Sequence, residues 1–369
     1  MIGAGIAGLS AALALDRRGV PNLVVERGAV ASGASGRNAG FLMRGAADNY
    51  AAAVRDWARE QARLLWRWTE ENLRLLRNLG IERLPTTRRV PSCLLALDEE
   101  EESELKESFS LLRDDGFRVE WIEGGEDSIW HSGRARCGLV NPDDAACNPH
   151  DVLTMLAGLL RTPPREHQEV AAIEAHGDGL RLILADADVH CARAIVCTNA
   201  YAPLLLPALD GFLEPKRAQM LVFESAGRRL DCSYYANHGY DYFRQPSPET
   251  IVMGGRRNLH AEQEVGYEDR TTPEVQGALE SLARELFGEP IRVMARWSGV
   301  MGFSPDGLPL IGPVDREGRL WLCSACTGHG MSLSCRAAEQ AVACMIDGVD
   351  SPFPLTRFDA FTALVLEKR

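Results

Sequence analysis

The chain has 369 residues, 46% of them hydrophobic and 25% charged, with 52 acidic against 40 basic side chains and a formal net charge of -12. That length accommodates two domains, and the acidity argues against nucleic acid or an anionic membrane as main partner. No apolar run of about eighteen residues marks a transmembrane segment, no basic-then-apolar leader is visible, and ten cysteines in mostly apolar settings read as reduced thiols of a cytoplasmic protein.

The sequence opens "MIGAGIAGLSAALALDRRGVPNLVVE", with Gly3-x-Gly5-x-x-Gly8 and an acid, Glu26, eighteen residues beyond Gly8. In such a turn one glycine allows the tight bend, one lets backbone approach a pyrophosphate, and one lets helix pack on strand. Only Met1 and Ile2 precede Gly3. The expectation is a truncated first strand, with the native chain beginning a few apolar residues upstream. Ile6, Leu9, Leu13 and Ala14 share a helical face that ends at Gly19, and "NLVVE" reads as a short buried strand with Glu26 at its tip. A carboxylate there binds a ribose diol and repels a 2′-phosphate, which selects FAD or NAD over NADP.

Residues 31–42, "ASGASGRNAGFL", are either a flexible linker or a loop that wraps a cofactor with backbone N–H groups. One long helix is expected from residue 48 to Gly80, with Val54, Trp57, Leu64, Trp68, Leu75 and Leu79 as a core stripe. Short strands and the acidic helix "EEEESELKESFSLLRDDG" follow, then a helix that Asn148 can cap. Residues 169–200 read as strand, hairpin and a buried strand running into Thr198-Asn199-Ala200. From 215 to 299 the pattern alternates as antiparallel sheet, interrupted by the helix "TPEVQGALESLARELFG". The last segment, "LWLCSACTGHGMSLSC", is strand, glycine turn and helix start. Cys323 and Cys326 there are two buried thiols, a redox dithiol or part of a zinc site. A single Gly-x-Gly-x-x-Gly disfavours an NAD-linked dehydrogenase, and the absence of linkers or repeats implies domains interleaved along the chain.

Four motifs, "IGAGIAGLSAA", "ASGASGRNAG", "IVCTNAYAP" and "RWSGVMGFSPDGLPLIGPV…CTGHGMSL", occur in an order that resembles the D-amino-acid-oxidase-like family of FAD-dependent amine oxidoreductases. The likeness covers nearly the whole chain and is nearest to the gamma-glutamylputrescine oxidase and D-amino-acid dehydrogenase branches. It implies an α/β fold in which a Rossmann-like FAD-binding domain (1–88, 146–212 and 300–369) is interleaved with a mainly antiparallel-sheet α+β substrate domain (89–145 and 213–299). By the same resemblance Gly3, Gly5, Ile6, Ala7 and Gly8 hold the pyrophosphate, while Glu26 and Arg27 meet the adenosine ribose. Ser35, Gly36, Arg37, Asn38, Ala39 and Gly40 line the pyrophosphate and flavin. Val170 covers adenine, and Thr198, Asn199 and Gly302 lie against the cofactor. Gly328, His329, Gly330 and Met331 open a helix onto the flavin edge.

The reaction implied is hydride transfer to flavin from the carbon beside nitrogen in a small amine or amino acid, giving an imine that hydrolyses; oxygen or a quinone then takes the electrons. His329 either moves a proton or touches the cofactor by its backbone. Tyr240, Tyr242, Arg244, Arg256 and Arg257, expected on the substrate-domain sheet, either wall a substrate pocket, with an arginine clamping a carboxylate, or are core tyrosines and surface arginines. Gly299 stands where some relatives carry a flavin-linking cysteine, so the FAD is expected to be noncovalent. Ala325-Cys326 replace the glycine-aromatic pair usual before the second glycine turn. The reading from another class is a catalytically inactive flavin-binding or scaffold protein descended from this family.

Overall fold

In the computed structural model, which describes residues 1–366, Ile2 bridges Val25 on one side and Val196 on the other, both in parallel. Gly3 N–H donates to Val25 O at 2.8 Å, and Cys197 N–H donates to Ile2 O at 2.8 Å. Val25 in turn bridges Arg165 in parallel. Ala194–Val196 pairs in parallel with Leu320–Ser324, which pairs antiparallel with Leu310–Pro313 on its other edge. From Ile2 the chain thus builds outward in one direction through Val25 and Arg165, and in the other through Val196 and Leu320. This is the strand-order reversal at which doubly wound sheets bind ligands.

Ile2, Val25, Val196, Leu320 and Leu322 are buried together in the core of that sheet. The helices Ile6–Arg17 and Gly330–Asp347 pack on each other. Helix Pro149–Gly158 packs on the first of them. A separate antiparallel sheet, Val170–His176, Gly179–Leu184 and Asp188–Cys191, contributes Leu180, Leu182 and Leu184 to the same core.

The chain divides into a first unit of residues 1–37, 149–216 and 300–369 and a second of 38–148 and 217–299. Residues 38–88 cluster with the second unit. There helix Tyr50–Trp57 packs on Arg59–Leu79 and on the acidic helix Glu99–Asp114.

The single helix expected from 48 to 80 is two, broken at Ala58, where φ is 64° and ψ 154°. The break resets the helical phase. The buried stripe of the second helix is Ala62, Leu65, Trp66, Thr69, Asn72, Leu73 and Leu76, with Trp68, and Leu64, Leu75 and Leu79 are half-buried. Gly80 closes it in the left-handed region, φ 99°, and Trp66 and Trp68 are core.

The second unit is organised by an eight-stranded sheet in the order Val293–Phe303, Glu214–Glu224, Thr250–Gly254, Asp241–Ser247, Ser233–Ala236, Ser92–Ala96, Cys137–Asn141, Glu120–Ile122. One face is covered by helix Pro273–Phe287, whose Val275, Leu279, Leu282 and Leu286 meet Phe223, Tyr234 and Phe243. Strand alternation puts Tyr235, Tyr242, Val252 and Met220 on the other face, where they cluster with Phe41, Met43 and Trp297. Among the described residues no helix is long and apolar enough to cross a membrane.

Candidate functional site

The first unit presents two glycine turns. At the first, Gly3 sits at φ +104° and a Cβ on it would lie 2.9 Å from Cys197 O. A Cβ on Gly8 would fall far inside van der Waals contact with Gly3 O, so the third glycine is what lets helix meet strand. Helix Ile6–Arg17 starts after Gly5 with no capping side chain and no acid in its first turn. Ile6 N–H donates to Ser35 Oγ at 3.1 Å, and a Cβ on Gly5 would lie 2.9 Å from the same oxygen. Ala7 is the second residue of that helix and is half-buried. Glu26 follows the Val25 bridge, and its carboxylate accepts from Ala4 N–H at 2.7 Å and Gly28 N–H at 2.9 Å. Those bonds fix the carboxylate beside the turn and leave lone pairs on both oxygens.

Ser35, Gly36 and Arg37 lie in the short helix Ala34–Arg37. Arg37 Nε donates to Ser32 O at 2.7 Å, and Arg27 lies over the Tyr201 ring at 4.5 Å. Val170 is the first residue of its strand and pairs with Leu184. The backbone beside Glu26 is that of Arg165 and Gln168, through Glu26 N–H to Arg165 O at 2.9 Å and Gln168 N–H to Glu26 O at 2.7 Å.

At the second turn Ala325, Thr327 and Gly328 all have positive φ (59°, 44° and 83°), and His329 N–H donates back to Cys326 O at 2.8 Å. Helix Gly330–Asp347 follows, again with no side-chain cap and no acid in its first turn. Met331 and His329 are buried, and burial pushes the His329 imidazole down to about 4. It is neutral at pH 7. Asn199, at φ 49°, accepts through Oδ1 from Ala325 N–H at 3.4 Å. A Cβ on Gly302 would stand 2.8 Å from that Oδ1. Thr198 turns its Cγ2 toward Gly3, and its buried Oγ1 has no hydrogen-bond partner among the described residues.

Residues 1–344 match the DAO family, described as FAD dependent oxidoreductase. The chain belongs to this family. Among its relatives are the glycine oxidase of Pseudomonas putida, 29% identical over 51% of this chain and 52% of that protein, and the gamma-glutamylputrescine oxidoreductase of Escherichia coli K12, 22% identical over 99% of this chain and 85% of that protein. The first of these alignments thus spans about half of the relative's length. The fold is shared with the L-proline dehydrogenase of P. horikoshii, with a TM-score of 0.79 and 17% identity over 98% of this chain and 96% of that one.

DAO-family proteins are FAD-dependent, and the first unit fits that cofactor. Two uncapped helix starts without acids suit a pyrophosphate and an electron-rich ring edge. The oriented Glu26 carboxylate suits a ribose, and the Thr198 hydroxyl is a buried group in want of a partner.

In the second unit Asn38 Oδ1 accepts from Gly40 N–H at 2.8 Å. Arg244, 8% exposed, donates from Nε to Ala39 O and from Nη2 to Cys147 O, the latter at 2.6 Å. Tyr242 stacks on Tyr235 with centroids 5.6 Å apart and meets Phe41 edge-on at 6.1 Å; burial pushes its hydroxyl up to about 12. Tyr242 and Arg244 are on one sheet face, opposite Gly254 and Val252.

Tyr240, Arg256 and Arg257, expected on the sheet, are instead in flanking turns. Tyr240 is exposed and lies under Arg257 at 5.1 Å. Arg256 has φ 56°, its N–H donates to Asp241 Oδ1 at 2.9 Å, and Nη1 lies 3.5 Å from Asp241 Oδ2. Its Nε is buried and makes no hydrogen bond among the described residues. Phe41, Tyr235 and Trp297 went unnoticed in the sequence, although the "SYYA" alternation opposite "DYFR" carried the signal for Tyr235.

Proposed function

We propose that this chain binds FAD noncovalently and oxidises a small amine or amino acid at the carbon bonded to nitrogen. The observation that carries the reading is the Gly3 turn at the strand-order reversal, with an oriented Glu26 beside it. FAD, when bound, supplies the hydride acceptor.

The chain's own residues do the rest. N–H groups at the start of helix Ile6–Arg17 hold the pyrophosphate, Glu26 accepts from the ribose hydroxyls, and Thr198 Oγ1 gains a partner from the cofactor. N–H groups of the second turn and of helix Gly330–Asp347 offset negative charge on the ring edge. His329 stays neutral there, so that stabilisation comes from backbone dipoles rather than an imidazolium. Tyr235, Tyr242 and Phe41 give the second unit an apolar aromatic face on which a neutral amine is desolvated. Where the substrate carries a carboxylate, Arg256 has a spare Nε–H for it, and Arg256→Met then raises KM with FAD content intact.

A panel of amines, amino acids, 2-hydroxy acids and sugars, scored by anaerobic bleaching of the flavin, tests the reaction class. Amines or amino acids should bleach it. Bleaching by hydroxy acids or sugars alone defeats the reading. Acid precipitation should leave all flavin in the supernatant, and flavin retained in the pellet would contradict noncovalent binding. Peroxide release against quinone reduction then identifies the electron acceptor.

A further inference from the structure

We propose that Arg244 is a positioning residue for the cofactor loop, clamping the Asn38–Gly40 turn to Cys147, and not the anchor of a substrate carboxylate. The proposal rests on the FAD reading above, because it gives that loop its purpose.

The Ala39 and Cys147 carbonyls belong to two chain segments far apart in sequence. Both are held by one guanidinium, through Nε and Nη2 respectively. These two nitrogens form the side-on fork with which arginine grips a carboxylate in parallel bonds; here two backbone oxygens fill it. The clamp is built into the backbone as well. Cys147 N–H donates to Gly40 O at 2.8 Å, and Phe41–Leu42 pairs antiparallel with Ala145–Ala146.

Gly40 is at φ +77°, and a Cβ there would overlap Cys147 O and come within 2.8 Å of Arg244 Nη2. No side chain larger than hydrogen can sit between the segments. Gly40 N–H in turn donates to Asn38 Oδ1, so the turn that orients Asn38 is continuous with the clamp. Both segments end at a boundary between the two units, at 37/38 and at 148/149. Burial lowers the guanidinium to about 10, and it remains charged at pH 7. A neutral or shorter replacement leaves at least one buried carbonyl without its donor.

The experiment uses the holoprotein and measures two quantities for wild type, Arg244→Lys and Arg244→Met: the FAD dissociation constant, and KM for the best substrate at saturating FAD. We expect FAD affinity to fall by about tenfold or more in Arg244→Met, which loses both charge-assisted bonds to the buried carbonyls. Arg244→Lys, which can reach one carbonyl but cannot fork to both, should fall between the two. KM at saturating FAD should stay within about twofold of wild type.

Gly40→Ala perturbs the same contact with Arg244 intact and should also weaken FAD, which keeps the proposal open to test if Arg244→Met does not fold. Unchanged FAD affinity in Arg244→Lys and Gly40→Ala overturns it. So does a tenfold rise in KM at saturating FAD, whatever the FAD affinity. A wild type that binds no FAD overturns the functional reading and this one with it, and is seen before any variant is compared.

Discussion

Replacing His329 by glutamine should make the protein less sensitive to acid. Burial holds the imidazole near 4 in the folded chain, against about 6.5 when unfolded. As pH falls below 6.5 the unfolded chain takes up a proton that the folded chain refuses. The stability due to the neutral ring is therefore complete above about 6.5 and is lost as pH falls toward 4. A difference of roughly 2.5 units is worth on the order of 3 kcal/mol over the whole range, and about 2 kcal/mol of it is gone by pH 5. Glutamine does not titrate, so the variant should lose about 2 kcal/mol less than wild type between about pH 7.5 and pH 5. Urea unfolding at those two pH values, at fixed FAD, reads the difference directly. Equal losses in the two proteins would mean that the ring titrates as if exposed. The burial argument would then fail.

Asp144 should act with the opposite sign. Burial pushes it up to about 6 although Ser92 Oγ and Arg44 N–H donate to it. Its charged form penalises the fold above about 6, and the penalty fades as pH falls toward 3.8. In the same urea series Asp144→Asn should lose about 1 kcal/mol more than wild type on acidification, and a smaller loss would refute the assignment. Gly8→Ala forces a methyl into Gly3 O and should yield protein purified largely without flavin, so full flavin absorbance per protein would contradict the geometry. Ala58 is exposed and adopts φ 64°, ψ 154°, a region proper to glycine. Ala58→Gly should therefore raise stability by about 1 kcal/mol, and a lower melting temperature would show that the helix break is not strained.

What the sequence made legible was local. The Gly3, Gly5 and Gly8 pattern is a requirement of one turn, and Glu26 lies one strand away. Likewise Ala325, noted as a departure from the usual glycine, does occupy a position of positive φ, 59°. The break at Ala58 was illegible because no glycine or proline marks it, and the regular apolar spacing runs through it. The clamp on Arg244 was illegible for another reason. Its partners lie 205 and 97 residues away and are backbone carbonyls, which leave no mark on side-chain composition. Arg256 was misplaced on the sheet because "TIVMGGRRN" has no proline to end the strand, whereas Gly255, at φ +138°, turns the chain out of it.

The interleaving of the two units bears on how the protein is made. The chain crosses between them four times, and the partners of Ile2 are Val25, near at hand, and Val196, much later. On the ribosome the first glycine turn therefore waits for more than half the polypeptide before its strand is flanked on both sides. The edge at Ala194–Val196 stays open until Leu320–Ser324 emerges. A chain halted before residue 300 would present that apolar edge to its neighbours, a template for aggregation. Cleavage of no single peptide bond separates the two units, and a stand-alone second unit would need residue 148 joined directly to residue 217.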